Sequence, residues 1–132
     1  MRSAIRLLLL SLLAFQPGIS GAAKSVDSES MLRQAPARAQ ARKNPYAGSS
    51  EARMAGRKLF QRHCAECHGE DGRGSEDAPP LQTEFVRTSP PGALVWFLKN
   101  GNLRRGMPSW SRLPEEQLFQ IVTYLLDLKT SS

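Results

Sequence analysis

Chemistry-bearing side chains are scarce in this chain: 132 residues contain two cysteines and two histidines. A structural zinc site takes four Cys or His ligands. Cys64, Cys67 and His68 offer three, and His63, which adjoins Cys64, would point away from them. No second C-x-x-C and no H-x-x-x-H is present to close a shell, so zinc is set aside. No βαβ pattern surrounds the cysteines, which excludes a thioredoxin-like redox pair. No apolar run reaches the roughly 20 residues that a bilayer-spanning helix needs. Aromatics are 7% of the chain and no basic stripe is interleaved with them, so nucleic acid is not an expected partner. Convincing strands and internal repeats are also absent. The periodicity that remains is helical, and the expected fold class is all-α.

What is present is concentrated in Cys64-Ala65-Glu66-Cys67-His68. A C-x-x-C-H run reads as a c-type haem attachment site. Two thiols one helical turn apart can add to the two vinyl groups of one porphyrin, and the following imidazole becomes the proximal iron ligand. A plain disulfide would leave His68 without a role.

The N-terminus points the same way. Arg2 and Arg6 precede an apolar run over residues 7–15, broken once by Ser11, and a small-residue stretch follows to Ala23. This is the pattern of a secretory signal. Residues 1–23 are therefore expected to be removed, leaving no stable membrane anchor and a periplasmic or secreted product. No cysteine follows the apolar run, which excludes lipid attachment there. The formal charge of +6 falls to +4 when Arg2 and Arg6 leave with the signal. Residues 24–45 are rich in Ser, Ala, Gln and Arg, with few large apolar residues beyond Met31 and Leu32. Such a stretch buries too little surface to offset its ordering entropy and reads as a disordered linker. One small domain, residues 46–129, remains.

Three helices are expected in that domain. The first follows Ser49-Ser50 as N-cap, with Glu51 in its first turn, and runs into the C-x-x-C-H segment. Its Gly56 is costly inside a helix and signals close approach of another backbone. A polar loop over 69–80 carries Glu70, Asp71, Glu76 and Asp77 but lacks the EF-hand pattern, so it reads as solvated. The second helix fits residues 90–100, with Ser89 as cap. The third begins near Pro114-Glu115-Glu116, its apolar stripe set by Leu118, Ile121, Val122 and Leu125. Three modest helices give a thin core, which a covalently bound haem would complete. Of the four methionines, Met1 lies in the signal, Met31 in the linker and Met54 upstream of the haem site. Met107, in Gly106-Met107-Pro108, sits on a stiff loop suited to a weak thioether ligand. It is the expected sixth ligand of the iron.

Gly56 with Leu59-Phe60, the Cys64–His68 run with Gly69, Ala78-Pro79-Pro80-Leu81, Gly106-Met107-Pro108-Ser109-Trp110 and Tyr124-Leu125 together resemble class I cytochrome c. The resemblance covers roughly residues 44–128. It implies a fold of about three to four helices around one covalently bound haem c with its iron, the first and last helices crossing at Gly56, Phe60 and Tyr124. It also implies a Pro79 carbonyl that accepts from His68, and Leu81 and Trp110 lining the haem pocket. The implied function is single-electron transfer by a monomer, between a dehydrogenase such as a quinoprotein and a respiratory acceptor such as a terminal oxidase. No catalytic residue is expected. The alternative, a haem peroxidase or gas-binding sensor, needs an open iron position and distal donors. Met107 argues against it.

Overall fold

The computed structural model describes residues 20–129, with side chains from Asp27 onward. The expected leader, residues 1–23, lies outside the described residues apart from the start of the first helix. In chain order the helices are α1 Ser20–Arg33, α2 Ala37–Gln40, α3 Ser50–His63, α4 Ala65–His68, α5 Glu84–Thr88, α6 Pro91–Asn100 and α7 Glu115–Leu126, with a 3₁₀ turn at Leu103–Arg105 between the last two. Among the described residues the only pairing of extended backbone is an isolated bridge, Asn102 to Met107. No described helix is long and apolar enough to cross a membrane.

The three expected helices are α3, α6 and α7. Ser49 caps α3 by accepting from the Ala52 N–H at 3.1 Å. α6 starts one residue later than expected, at Pro91, with Pro90 at its N-cap. Ser89 is used elsewhere: its hydroxyl donates to the Phe85 carbonyl at 2.7 Å and closes α5. α7 starts after Pro114 with Glu115 and Glu116 in its first turn, where carboxylates complement the helix dipole.

α3 and α7 form the main packing of the domain. Gly56 permits it: a Cβ there would stand 2.5 Å from the Gln120 carbonyl carbon and nearer still to its oxygen. Below this crossing the Phe60 and Tyr124 rings meet at 5.3 Å between centroids. Phe60, Leu118, Ile121, Val95 and Val122 are the largest fully buried side chains. The core therefore lies between α3, α6 and α7, on one side of the C-x-x-C-H turn.

The structure differs from the expected disordered linker over 24–45. α1 and α2 occupy most of it, and Leu32, Ala35 and Ala39 are buried in the core. The segment packs through small residues rather than bulk. The Ala39 carbonyl lies so close to Gly92 of α6 that a Cβ there would collide with it. The Gly92 N–H donates to the Arg42 carbonyl at 3.2 Å, and the Arg42 guanidinium lies 5.2 Å from the Phe119 ring centroid.

Arg42 also binds Glu115 at 2.5 Å, and Lys99 reaches the same carboxylate at 2.7 Å. Hydrogen bonds from Arg42 first, and then from Lys99, hold the Glu115 carboxyl down at about 2. A carboxyl lowered on folding stabilises the native state above its unfolded pKa and loses that contribution as pH falls through the folded value. The cluster is two-fifths exposed, so solvent screening limits its worth to about 0.5 kcal/mol. Glu115→Gln should thus unfold at slightly lower urea than the parent at pH 7, with the gap closing as pH drops toward 2. A gap independent of pH would assign the loss to something other than this ion pair.

Candidate functional site

The C-x-x-C-H segment is one tight helical turn added to the end of α3. Cys64 is the C-cap of α3, with φ −122° and ψ −33°, and also the N-cap of α4, so the chain bends there. Its carbonyl accepts from the Cys67 N–H at 3.2 Å and from the His68 N–H at 2.9 Å. Both thiols are free. Burial, aided by the nearby Cys67 charge, pushes the Cys64 thiol up to about 11.

The loop after α4 folds back on that turn. The Gly74 N–H donates to the His68 carbonyl at 2.8 Å, and the Ser75 hydroxyl to the Cys67 carbonyl at 2.6 Å. The Leu81 N–H closes the loop on the Gly72 carbonyl at 2.7 Å. These bonds bring the Pro79 carbonyl 2.9 Å from His68 Nδ1. A carbonyl only accepts, so Nδ1 carries the proton and Nε2 keeps its lone pair. Burial lowers the His68 pKa, against a smaller opposing effect of the Pro79 hydrogen bond, and so favours the neutral ring.

Met107 is held by its backbone. Its N–H donates to the Asn102 carbonyl at 3.0 Å, and its carbonyl accepts from the Asn102 N–H at 2.9 Å. Between them the 3₁₀ turn ends at Gly106, whose φ of +85° is left-handed and suits glycine. The Trp110 N–H then donates to the Leu98 carbonyl at 2.9 Å, and the Ser109 hydroxyl to the Lys99 carbonyl at 2.5 Å. The loop is thereby tied to the end of α6.

These three constructions border one cavity of about 570 Å³. Cys64, Cys67, His68 and Met107 all line it, as do Leu81 and Trp110. Sequence reasoning missed Phe85 and Val86, which α5 supplies, and Phe97 and Leu98 from α6. Thr83 is the available signal for α5, since it caps the helix by accepting from the Val86 N–H at 3.2 Å. His63, expected to point away, also lines the cavity, with its ring 5.2 Å from that of Trp110.

Residues 51–125 match the model of the family described as cytochrome c oxidase, cbb3-type, subunit III. The chain belongs to this cytochrome c family. Among solved structures it is similar to cytochrome CL from the marine methylotrophic bacterium Methylophaga aminisulfidivorans MPT, with a TM-score of 0.57 and 23% identity. That likeness covers 66% of this chain and 59% of the other, and it shows the fold. No curated protein matches the chain.

Covalent haem c with its iron is the cofactor of a cytochrome c, and the cavity of this domain fits it. Its volume lies within the roughly 300–1,000 Å³ of small-molecule sites. Apart from the two thiols, the imidazole and the thioether, its wall is mainly apolar. Among the described residues no three His, Cys, Asp or Glu side chains group to enclose a metal ion by themselves. The donor set suits an iron already held in a macrocycle.

Proposed function

We propose that the protein is a single-electron carrier of the periplasmic or secreted compartment. Its haem is attached through Cys64 and Cys67, with His68 and Met107 as axial ligands. The observation that carries this reading is the meeting of both thiols, the imidazole and the thioether on one apolar cavity. When bound, haem supplies an Fe(III)/Fe(II) couple.

The chain's own residues set the conditions for that couple. Donation from Nδ1 to Pro79 fixes the His68 ring and its tautomer, leaving Nε2 for the iron. The pinned loop holds the Met107 thioether, a weak donor, where a free side chain would leave. Histidine/methionine ligation raises the reduction potential. Phe97, Leu98, Trp110 and Leu125 give the cavity an apolar wall that disfavours water. His68 and Met107 would both be taken up by the iron, which would leave no open position for peroxide or a gas. A quinoprotein dehydrogenase as donor and a terminal oxidase as acceptor suit a mobile carrier of this kind, acting as a monomer.

Attachment is tested by mass spectrometry of protein matured with a cytochrome c assembly system. One haem should survive denaturation. Cys64→Ala or Cys67→Ala should leave at most one thioether. Haem that extracts into acidified organic solvent from the parent would sink the reading.

A further inference from the structure

We infer that residues 27–42 are a built part of the haem site, and that Asp27 is a positioning residue which, through Arg105, holds the loop carrying Met107. This rests on the proposed reading of the cavity as the haem site and of Met107 as an iron ligand. The segment lies outside the family match, which begins at residue 51.

Two sets of contacts assign this role. First, the last turns of α1 are a wall of the cavity. Ser28, Glu29 and Leu32 line it together with His68 and Met107. Leu32 is 6% exposed, so this is packed wall and not a loose neighbour. The Arg33 guanidinium lies 4.9 Å from the ring centroid of Phe85, itself a lining residue. Arg42 anchors the far end on α6 and α7. Second, Asp27 Oδ2 accepts from Arg105 Nε at 2.7 Å. Arg105 stands in the 3₁₀ turn two residues before Met107. Leu103 on the same turn is 76% exposed, so packing secures little of it. The ion pair ties this outer part of the loop to α1, while the Asn102–Met107 bridge secures its base.

The consequence concerns how the thioether leaves the iron. An outward swing of the outer loop would ease its departure, and a tie from Arg105 to Asp27 opposes that motion. The α1 wall also narrows the path by which a foreign ligand enters. Because the tie is exposed, salt should weaken it.

Imidazole binding to the oxidised holoprotein, followed by stopped-flow absorbance, tests both parts. Asp27→Asn should bind imidazole about two- to fivefold faster than the parent, the scale an exposed ion pair commands. Asp27→Glu should behave like the parent. Added salt should accelerate binding to the parent and leave Asp27→Asn unchanged. Leu32→Ala, which thins the wall, should accelerate binding at every salt concentration. Parent-like rates and salt dependence in Asp27→Asn would overturn the positioning role, and parent-like rates in Leu32→Ala would overturn the wall. The methionine–iron charge-transfer band of the parent separates these failures from a failure of the ligation reading. If the parent lacks that band, the ligand assignment is wrong. If the band is present and the variants bind like the parent, only the role of residues 27–42 falls.

Discussion

Met107→Ala is expected to keep its covalent haem and to lose about 0.1 V or more of reduction potential, a step well inside the roughly 0.8 V that axial ligation spans. On the proposed reading attachment depends on Cys64 and Cys67, so removing the Met107 thioether should not release the cofactor. The thioether favours ferrous over ferric iron, and its loss shifts the couple toward the oxidised form. The substitution leaves the backbone bridge from Asn102 intact, because both of its hydrogen bonds use main-chain atoms. The loop should therefore keep its path while the iron becomes open to cyanide or carbon monoxide. Potentiometric titration and ligand-binding rates check the two effects together. A variant that matches the parent in both would show that another group is the sixth ligand. His63, which shares the cavity and packs on Trp110, would be the first to examine.

The parts of the site that were legible in the sequence are those where chemistry demands a residue type at a fixed spacing. The two thiols and His68 need one helical turn. The Pro79 carbonyl at Nδ1 followed from the resemblance to class I cytochrome c and not from spacing, and the structure brings it there. Gly56 announced a close backbone approach through its cost inside a helix. Residues 27–42 were illegible for the opposite reason. Their composition has few large apolar side chains beyond Met31 and Leu32, and the expected linker followed from that scarcity. The structure packs them through alanines against a glycine, one leucine against the cavity, and arginines against an aromatic ring and a carboxylate. Such contacts depend on which surface happens to face the segment, and no local pattern encodes that. α5 escaped notice because five residues are too few to display a helical period.

Gly56→Ala should be among the most damaging single methyl additions in the domain. A Cβ at this position would meet backbone of α7, 2.5 Å from the Gln120 carbonyl carbon. Backbone in the middle of a helix cannot step aside as a side chain can, so α3 and α7 must separate along their whole crossing. That separation loosens the Phe60–Tyr124 contact and the packing around Leu118, Ile121 and Val122. Overpacking of this kind costs about 3 kcal/mol. For a domain of this size that lowers the melting temperature of the holoprotein by roughly 10 °C or more. Alanine has the better intrinsic helix propensity by about 1 kcal/mol, so a loss in its presence can only come from the crossing. Met54→Ala on the same helix is the control: its side chain is 57% exposed and should melt close to the parent. The consequence reaches the site because α3 runs straight into Cys64. A shifted α3 moves both thiols relative to the Met107 loop, which is tied to α6, so the potential should fall along with the stability. If Gly56→Ala melts like the Met54→Ala control, the helices do not cross as closely as the structure has them.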